Sequence, residues 1–408
     1  MSDSSQPTLK RSLSLTLLTL YGLGTILGAG VYVLIGEVAG RAGMQTPLAF
    51  LAAGIVATFT ALSYAELASR IPRSAGEAAY ASAAFRNRLP AILAGLGVTL
   101  TGIISAATIA NGFVGYLREI FPAHREVTIL ITVLMLGSLA AWGVTESVSA
   151  AAVVTCLEVI GILVVILFSG APISELPARL PEFLPGLESA PWMGIAAGAF
   201  LAFFAFIGFE DIVNMAEETR NPQRNLPRAI LISLSVSTIL YMVIATVAVL
   251  AMAPAELAKA EAPFSALLAH HGTIATGGIT FISLVAVING ALIQIVMASR
   301  VLYGMGSQGL LPAFFARIHP RRRTPLLSTA LVTAIVLGLA LLFRRVALAE
   351  ATSTVTLLVF ALINLCLIML HRRGGAPEAG FRAPRWIPVV GVILCLAMLG
   401  FSLLASGA

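Results

Sequence analysis

Glu158 is the residue whose type and setting most directly suggest chemistry. It is the single charged residue in residues 147–169, an apolar stretch long enough to cross a membrane. A carboxylate at that depth is costly unless it is paired or protonated. Three roles stay open for Glu158: a group that titrates during a functional cycle, a structural hydrogen-bond partner of a neighbouring helix, and a cation ligand.

Two apolar stretches are interrupted by glycine. In the first, Gly28 and Gly30 flank Ala29 near the middle, and glycine is a poor helix former. In a later stretch, apolar sequence runs through Gly208 into Glu210 and a neighbouring aspartate. Unwound backbone in hydrocarbon exposes N–H and C=O groups that need partners, and a polar ligand can supply them. Close packing of small residues between helices is the alternative explanation of the first break.

The two breaks predict a site built mainly from backbone groups. The N–H groups of residues 28–30 lie at the start of a half-helix, whose positive end favours a carboxylate. Carbonyl groups near Thr25, Ile26, Phe203 and Phe204, just before the breaks, can accept hydrogen bonds from an ammonium group. A zwitterion carries both of these charges. Phe206 is expected to lie over such a ligand, with packing in the core as the alternative.

The composition places these residues in a membrane. Of 408 residues, 58% are hydrophobic and only 11% are charged, against about 25% charged residues in soluble proteins. The net charge is +6, but Lys and Arg lie in short clusters between apolar runs, so a nucleic-acid partner is not predicted. Eleven stretches can each supply one membrane-crossing helix, numbered here as spans 1 to 11: residues 12–36, 42–65, 89–117, 127–145, 147–169, 189–209, 229–255, 262–299, 324–343, 351–370 and 386–408.

The distribution of basic residues predicts how the chain is oriented. Most Lys and Arg fall on the side that holds the N-terminus, and basic loops resist translocation. The N-terminus is therefore predicted to be cytoplasmic and, with eleven spans, the C-terminus extracytoplasmic. The polar start leads straight into a long apolar segment, so a cleavable signal peptide is not expected.

The positions of the breaks also predict an internal repeat. They fall in spans 1 and 6, so five spans belong to each half and one remains, and matching breaks in two halves are typical of a transporter's binding site. The predicted organisation is a cytoplasmic tail at 1–13, five-helix repeats at 14–170 and 190–370, and an additional helix at 386–405.

Four segments resemble the amino acid, polyamine and organocation (APC) permeases. Residues 208–230, GFEDIVNMAEETRNPQRNLPRAI, resemble the loop after the sixth helix of that family, and residues 24–31, GTILGAGV, resemble its first-helix substrate motif. Residues 71–80, IPRSAGEAAY, resemble the loop after helix two, and residues 298–305, ASRVLYGM, resemble the end of helix eight. The four segments together are specific for this family, whereas any one of them alone would be weak evidence for it.

The resemblance implies an all-α integral membrane protein with the inverted five-plus-five repeat of that superfamily and with discontinuous helices 1 and 6. Family members usually have twelve helices, whereas this chain has about eleven. Many place a lysine where this chain has Glu158, and many carry a gating carboxylate at the position of Glu210. A helix N-terminal charge is the alternative role for Glu210.

The predicted substrate-binding set is Thr25, Ile26, Gly28, Ala29, Gly30, Phe203, Phe204, Phe206, Ile207 and Gly208. The coupling or gating set is Glu158 and Glu210. The nearest candidates for polar walls are Ser105, Thr108, Asn289 and Gln294.

The sequence favours a secondary active permease over an enzyme. It has no zinc-helix, nucleophile-elbow or phosphate-loop motif, so no catalytic residue, metal or cofactor is predicted. The expected function is alternating-access transport of amino acids across the cell membrane, coupled to protons and selective for neutral side chains. An amino acid/polyamine exchanger, a cationic amino acid permease, a channel and a non-transporting receptor are the alternatives. Membrane lipid is the expected surrounding partner, and no oligomeric state is predicted.

Overall fold

The computed structural model describes residues 11–28, 30–73, 76–85, 87–122, 124–143, 148–320, 322, 324–373 and 380–406. In these residues the only β contact is an isolated bridge between Leu13 and Thr219, and the rest of the regular structure is helical. The spans are Leu15–Leu27 with Gly30–Ala42 (span 1), Thr46–Arg70 (2), Arg88–Arg118 (3), Arg125–Trp142 (4), Val148–Phe168 (5), Ser189–Ala202 with the 3₁₀ segments Phe203–Phe206 and Phe209–Met215 (6), Pro222–Ala251 (7), Thr273–Ser307 (8), Leu326–Leu342 (9), Arg345–Arg373 (10) and Ile387–Ser406 (11).

The length and apolarity of these helices confirm the predicted membrane architecture. Nine helical segments of the described chain are long and apolar enough to cross a membrane, and one of them, Gly30–Arg70, contains both the second half of span 1 and span 2. The remaining apolar helices, Leu15–Leu27 and Leu326–Leu342, are shorter. They are the first half of span 1 and span 9, so the described helices account for the eleven predicted spans.

Local sequence signals determine where several spans begin. Ser14 starts span 1, with its Oγ accepting a hydrogen bond from the N–H of Leu17 at 3.3 Å. Asn87 caps span 3 in the same way, with Leu89 as the donor at 3.1 Å. Pro222 occupies the first turn of span 7, where its missing N–H costs no helical hydrogen bond.

Short helices connect the spans on the two faces of the bundle. The face where span 1 begins is called the N side, and the face where span 11 ends is called the C side. Gly76–Phe85 lies on the N side between spans 2 and 3. Leu176–Phe183, Pro254–Leu257 and Pro263–Leu267 lie on the C side.

The packing of spans 1 to 5 on spans 6 to 10 follows a paired pattern. Span 2 packs on span 7, span 3 on span 8, and span 4 on span 9. The first half of span 1 packs on span 7, and the α-helical part of span 6 packs on span 2. Exchanging each span with the one five places later reproduces these contacts, as an inverted repeat requires. Span 11 lies outside this pattern, against spans 2, 6 and 10.

Candidate functional site at the two helix breaks

Span 1 consists of two helices in the described residues, which agrees with the predicted discontinuity. The first half ends at Leu27, and the Gly28 N–H still donates to the Gly24 carbonyl at 3.0 Å. The second half begins at Gly30. Ala29, which the sequence placed in the substrate site, lies outside the described residues.

Span 6 is broken at Ile207 and Gly208, also as predicted. A 3₁₀ turn over Phe203–Phe206 leads into Ile207, which is extended, and Gly208 has φ of +126°. Only glycine adopts that conformation readily. The segment that follows, Phe209–Met215, is a 3₁₀ helix.

The two breaks are in direct contact. The Thr25 hydroxyl lies 2.9 Å from the Gly208 carbonyl oxygen and also 2.9 Å from the Gly22 carbonyl of its own helix. A Cβ at Gly208 would lie 2.5 Å from the Thr25 carbonyl oxygen, and a Cβ at Gly30 would lie 2.3 Å from Ala205 Cα. Such separations are below van der Waals contact, so both glycines are needed for the breaks to approach this closely.

A side chain that the sequence did not single out joins the two breaks. The Tyr241 hydroxyl, on span 7, lies 2.7 Å from the Ile26 carbonyl oxygen and 2.9 Å from that of Ala205. The Ile26 carbonyl, predicted as an acceptor for a ligand, therefore already has a donor nearby. The Phe204 carbonyl accepts from the Ile207 N–H at 3.3 Å. The sequence did offer a signal for Tyr241, because a single tyrosine in the middle of an apolar span has a hydroxyl that needs a hydrogen-bond partner.

A small cavity lies where the breaks meet spans 3 and 8. Its volume is about 20 Å³, which is room for roughly one water molecule. Its lining residues are Thr25, Ile26, Gly30, Ser105, Ile109, Phe204, Ile207, Gly290, Ile293 and Gln294. Five belong to the predicted substrate set, and none carries a charged side chain. The walls are mainly aliphatic, with two hydroxyls and one amide.

Phe206, which is predicted to lie over a ligand, does not line this cavity. Its ring packs edge-on against Tyr241, with the ring centres 5.2 Å apart, and it is 1% exposed. Phe203 is likewise buried, against Phe360 of span 10. Phe204 is the aromatic side chain of span 6 that reaches the cavity.

Glu158 is fully buried beside the first break. Its Oε1 accepts from Asn289 Nδ2 at 3.4 Å and would lie 3.4 Å from a Cβ at Gly28. Its backbone carbonyl accepts from the Tyr32 hydroxyl, on the second half of span 1, at 2.6 Å. The carboxylate thus lies between spans 1, 5 and 8, next to the cavity rather than in its lining.

Glu210 is buried on the N side of the second break. Its Oε2 accepts from the Gly208 N–H at 2.8 Å, so the carboxylate holds the turn that forms the break. Asp211 is buried beside it. Glu77, in the short N-side helix, accepts from the Tyr64 hydroxyl at 3.3 Å, and burial raises the pKa of Glu77 to about 7.

The C-side ends of spans 1 and 10 are joined by two ion pairs, named here the C-side clasp. Arg41 contacts Glu350 at 2.5 Å, and Arg345 contacts Glu37 at 2.9 Å. Each span supplies one positive and one negative partner. The four side chains are between 17% and 36% exposed, so the pairs lie at the edge of the bundle.

The N side has a different connection, named here the N-side bridge. Leu13, just before span 1, donates its N–H to the Glu218 carbonyl at 3.0 Å and accepts from the Arg220 N–H at 2.9 Å. This backbone pairing ties the start of span 1 to the segment after span 6. Span 1 is therefore anchored on both sides of the cavity, and span 6 is anchored to it on the N side.

Comparison with known proteins places this arrangement in a family. A family model described as amino acid permease matches residues 13–407, nearly the whole chain. The chain belongs to the amino acid permease family. It is 30% identical over 97% of its length to a branched-chain amino acid permease of Bacillus subtilis (strain 168), covering 89% of that protein. It is 29% identical to a methylthioribose transporter of the same organism, again over 97% of this chain and 89% of the relative.

Plant relatives of the permease are longer. A vacuolar cationic amino acid transporter 4 of Arabidopsis thaliana is 30% identical over 89% of this chain, which spans 64% of that relative. Relatives named for branched-chain amino acids, cationic amino acids and methylthioribose therefore share the matched sequence.

The predicted polar walls of this amino acid permease divide into two pairs. Ser105 and Gln294 line the cavity, whereas Thr108 donates to the Ile104 carbonyl of its own helix and Asn289 contacts Glu158. The sequence did not identify the other lining residues of spans 3 and 8, which are Ile109, Gly290 and Ile293. In the described part of the chain, no three His, Cys, Asp or Glu side chains are grouped to hold a metal ion.

Proposed function

We propose that this permease is a secondary active transporter of neutral amino acids, coupled to protons and working by alternating access. The observation that carries the proposal is the cavity at the contact of the two breaks, whose lining contains no charged side chain. Amino acid permease relatives support the substrate class in its broad form.

The breaks supply what a zwitterion needs. The second half of span 1 begins at Gly30, so its first N–H groups have no intrahelical acceptor and favour an α-carboxylate. Carbonyl oxygens of the breaks can accept from the α-ammonium group. The Thr25 hydroxyl now contacts the Gly208 carbonyl, and it keeps the Gly22 carbonyl as an acceptor when a stronger donor arrives.

The cavity walls favour an uncharged substrate side chain. Ile26, Ile109 and Ile293 offer apolar contact, and Phe204 offers an aromatic face. A Lys or Arg side chain would lose its hydration here without meeting a carboxylate in the lining, which is costly. The volume is too small for an amino acid, so binding requires the lining to separate before it closes around the substrate.

Glu158 is the proposed coupling residue. It is fully buried and lies within contact distance of the span 1 break, so its charge acts on the backbone that binds substrate. Protonation removes a negative charge from beside that break and changes which state of the break is favoured. Glu210, which accepts from the Gly208 N–H, is the proposed gating residue for the second break.

The membrane placement completes the proposal. The N side is assigned to the cytoplasm and the C side to the exterior, since basic residues cluster on the N side. The two repeats, 14–170 and 190–370, are proposed to move against each other, with span 11 (386–405) outside them and residues 1–13 as a cytoplasmic tail.

Uptake into proteoliposomes tests the proposal. The purified permease is screened with labelled neutral, cationic and anionic amino acids, polyamines and methylthioribose, with proton and sodium gradients imposed separately. We expect accumulation of neutral amino acids driven by an inward proton gradient. Preferential accumulation of lysine or arginine over neutral amino acids would instead establish a cationic amino acid permease, the alternative that the plant relatives suggest. Binding without accumulation would establish a receptor.

Glu158→Gln isolates the coupling residue, since glutamine keeps the side-chain size and cannot titrate. We expect it to lose proton-driven accumulation while retaining substrate exchange. Glu182→Gln is the matched control, because Glu182 is exposed on a C-side helix and pairs only with nearby Arg179 in the described residues. Unchanged uptake and unchanged pH dependence in Glu158→Gln would remove Glu158 from the coupling mechanism.

A further inference from the structure

A second, larger cavity lies on the C side, away from the breaks. It is a crevice of about 410 Å³ between spans 6, 10 and 11 and the end of span 1. Its lining residues are Arg41, Met193, Gly194, Ala197, Phe200, Glu350, Phe401 and Ser402. Span 11 packs on the outside of spans 6 and 10, so the crevice is at the periphery of the bundle, where membrane lipid surrounds the protein.

The wall formed by span 6 gives the crevice its depth. Met193, Ala197 and Phe200 lie at helical spacing on one face. The eight residues from Met193 to Phe200 cover about 10 Å along the helix axis. One leaflet of the hydrocarbon core is about 15 Å thick. The crevice therefore follows span 6 from the C-side interface through much of one leaflet, and Met193 at its upper end is 57% exposed.

The upper end of the crevice carries both signs of charge. Arg41 and Glu350, one ion pair of the C-side clasp, form this end, and their side chains are 33% and 36% exposed. The guanidinium group has five N–H donors and the carboxylate has about four acceptor positions, so one mutual contact leaves both with further capacity. Gly194 permits the close approach, since a Cβ there would lie 2.8 Å from the Arg41 carbonyl oxygen.

We propose that this crevice binds a zwitterionic phospholipid with a primary ammonium group, of the phosphatidylethanolamine class, from the C-side leaflet. An acyl chain lies along Met193, Ala197 and Phe200. The phosphate accepts from Arg41, and the ammonium group donates to Glu350. The head group thus meets a partner of opposite charge at each end, and the apolar wall excludes water from the chain.

Other membrane components match this crevice less well. An anionic phospholipid without an ammonium group satisfies Arg41 but brings its negative charge beside Glu350. A choline head group carries a positive charge but has no N–H to donate to the carboxylate. A sterol fills the apolar wall and leaves both charged groups without a new partner. The head-group preference is therefore the specific part of the proposal.

The crevice also adjoins the clasp, so an occupant can affect transport. A lipid that draws Arg41 or Glu350 toward its head group competes with their mutual contact. The ligand contacts span 6 at Met193, Ala197 and Phe200, on the C side of the break. Lipid composition is thus expected to alter the rate of transport without altering which substrates are carried.

Native mass spectrometry of the purified full-length permease tests binding directly. The protein is titrated with phosphatidylethanolamine, phosphatidylcholine or phosphatidylglycerol of identical acyl chains. We expect the ethanolamine lipid to bind at least fivefold more tightly than either of the others. Soluble glycerophosphoethanolamine should not displace it, because it lacks the acyl chains. Equal binding of the three lipids, or displacement by the soluble head group, would overturn the proposal.

Two variants separate the crevice from the rest of the lipid-facing surface. Ala197→Trp fills the apolar wall, and Glu350→Met removes the acceptor for the ammonium group while keeping the side-chain length. We expect Ala197→Trp to weaken binding of all three lipids at the tight site, and Glu350→Met to abolish the preference for ethanolamine over choline. Ile239→Trp, on the exposed face of span 7, adds the same bulk elsewhere and should bind lipid like the unmodified chain. Retained binding and preference in both crevice variants would place the lipid elsewhere.

Discussion

Tyr241 is the residue whose removal tests most sharply how the two breaks are held together. Its hydroxyl lies within hydrogen-bonding distance of the Ile26 carbonyl in span 1 and the Ala205 carbonyl in span 6. Ile26 and Ala205 are each 1% exposed, so bulk solvent cannot replace the lost donor. Tyr241→Phe removes one oxygen atom and keeps the ring that packs against Phe206.

The cost of this change follows from the number of groups left without a donor. A hydroxyl has one proton, so it can satisfy one of the two carbonyls fully at any moment. Leaving one buried acceptor without a partner costs about 1–3 kcal/mol. If the breaks are held in the conformation that binds substrate, that cost corresponds to a roughly 5- to 150-fold fall in the population of this conformation. We therefore expect KM for the best-transported amino acid to rise at least fivefold.

Tyr116→Phe provides the matched control. Its hydroxyl is equally buried and donates at 2.7 Å to the carbonyl of Tyr32, which lies in the second half of span 1 and outside the cavity lining. Thermal unfolding in detergent should show similar destabilisation of both variants. Uptake kinetics should separate them, with KM raised in Tyr241→Phe and within twofold of the parent in Tyr116→Phe. An unchanged KM in Tyr241→Phe, with stability lowered in both, would show that the hydroxyl supports the fold and has no part in the site.

Three further predictions address the glycine, the clasp and a buried acid. Gly208→Ala should lose substrate binding in a binding assay, because the φ of +126° is strained for alanine and the new Cβ would lie 2.5 Å from the Thr25 carbonyl oxygen. Gly338→Ala is the control, since no atom lies within 4 Å of its new Cβ. In the C-side clasp, Glu37→Arg should break the pair with Arg345. A cysteine placed in the cavity should then react more with a thiol reagent added on the C side. Glu37→Arg combined with Arg345→Glu should restore labelling to within threefold of the parent, since partly exposed pairs contribute about 0.2–1 kcal/mol each; no recovery would refute the pairing. Burial raises the pKa of Glu77 to about 7, so the folded state holds the Glu77 proton more tightly than the unfolded state does. The free energy of unfolding should therefore fall as pH rises from about 4.5 to about 7. Thermal unfolding of Glu77→Gln should show a smaller fall over that range, and an identical pH profile would contradict the assignment.

The spans and both breaks could be predicted because membrane helices leave strong local signals. About 20 apolar residues mark each span, and glycine beside polar sequence marks each break. Glu158 was conspicuous for the same reason, as a charge inside an apolar stretch. The amino acid permease family also followed from the sequence, and the match over residues 13–407 confirms it.

The orientation of the span 6 side chains could not be predicted, because it depends on a change of helix type. A 3₁₀ helix has three residues per turn, so side chains three apart lie on the same face. Phe203 and Phe206 accordingly pack into the core, whereas Phe204 and Ile207 line the cavity. The preference for Phe206 assumed that the residue next to the break faces the ligand. Tyr241 was missed because its role depends on a contact between spans 1, 6 and 7 that no local pattern encodes.

The connections on the two sides of the cavity differ in chemistry, and this difference bears on how the permease alternates. The C-side clasp consists of ion pairs between side chains, whereas the N-side bridge consists of backbone hydrogen bonds between Leu13 and the Glu218 to Arg220 segment. Salt screens partly exposed ion pairs and has little effect on neutral backbone bonds. Raising the ionic strength should therefore favour opening toward the C side over opening toward the N side. The cavity, with room for roughly one water molecule, requires one of the two connections to open before a substrate can enter.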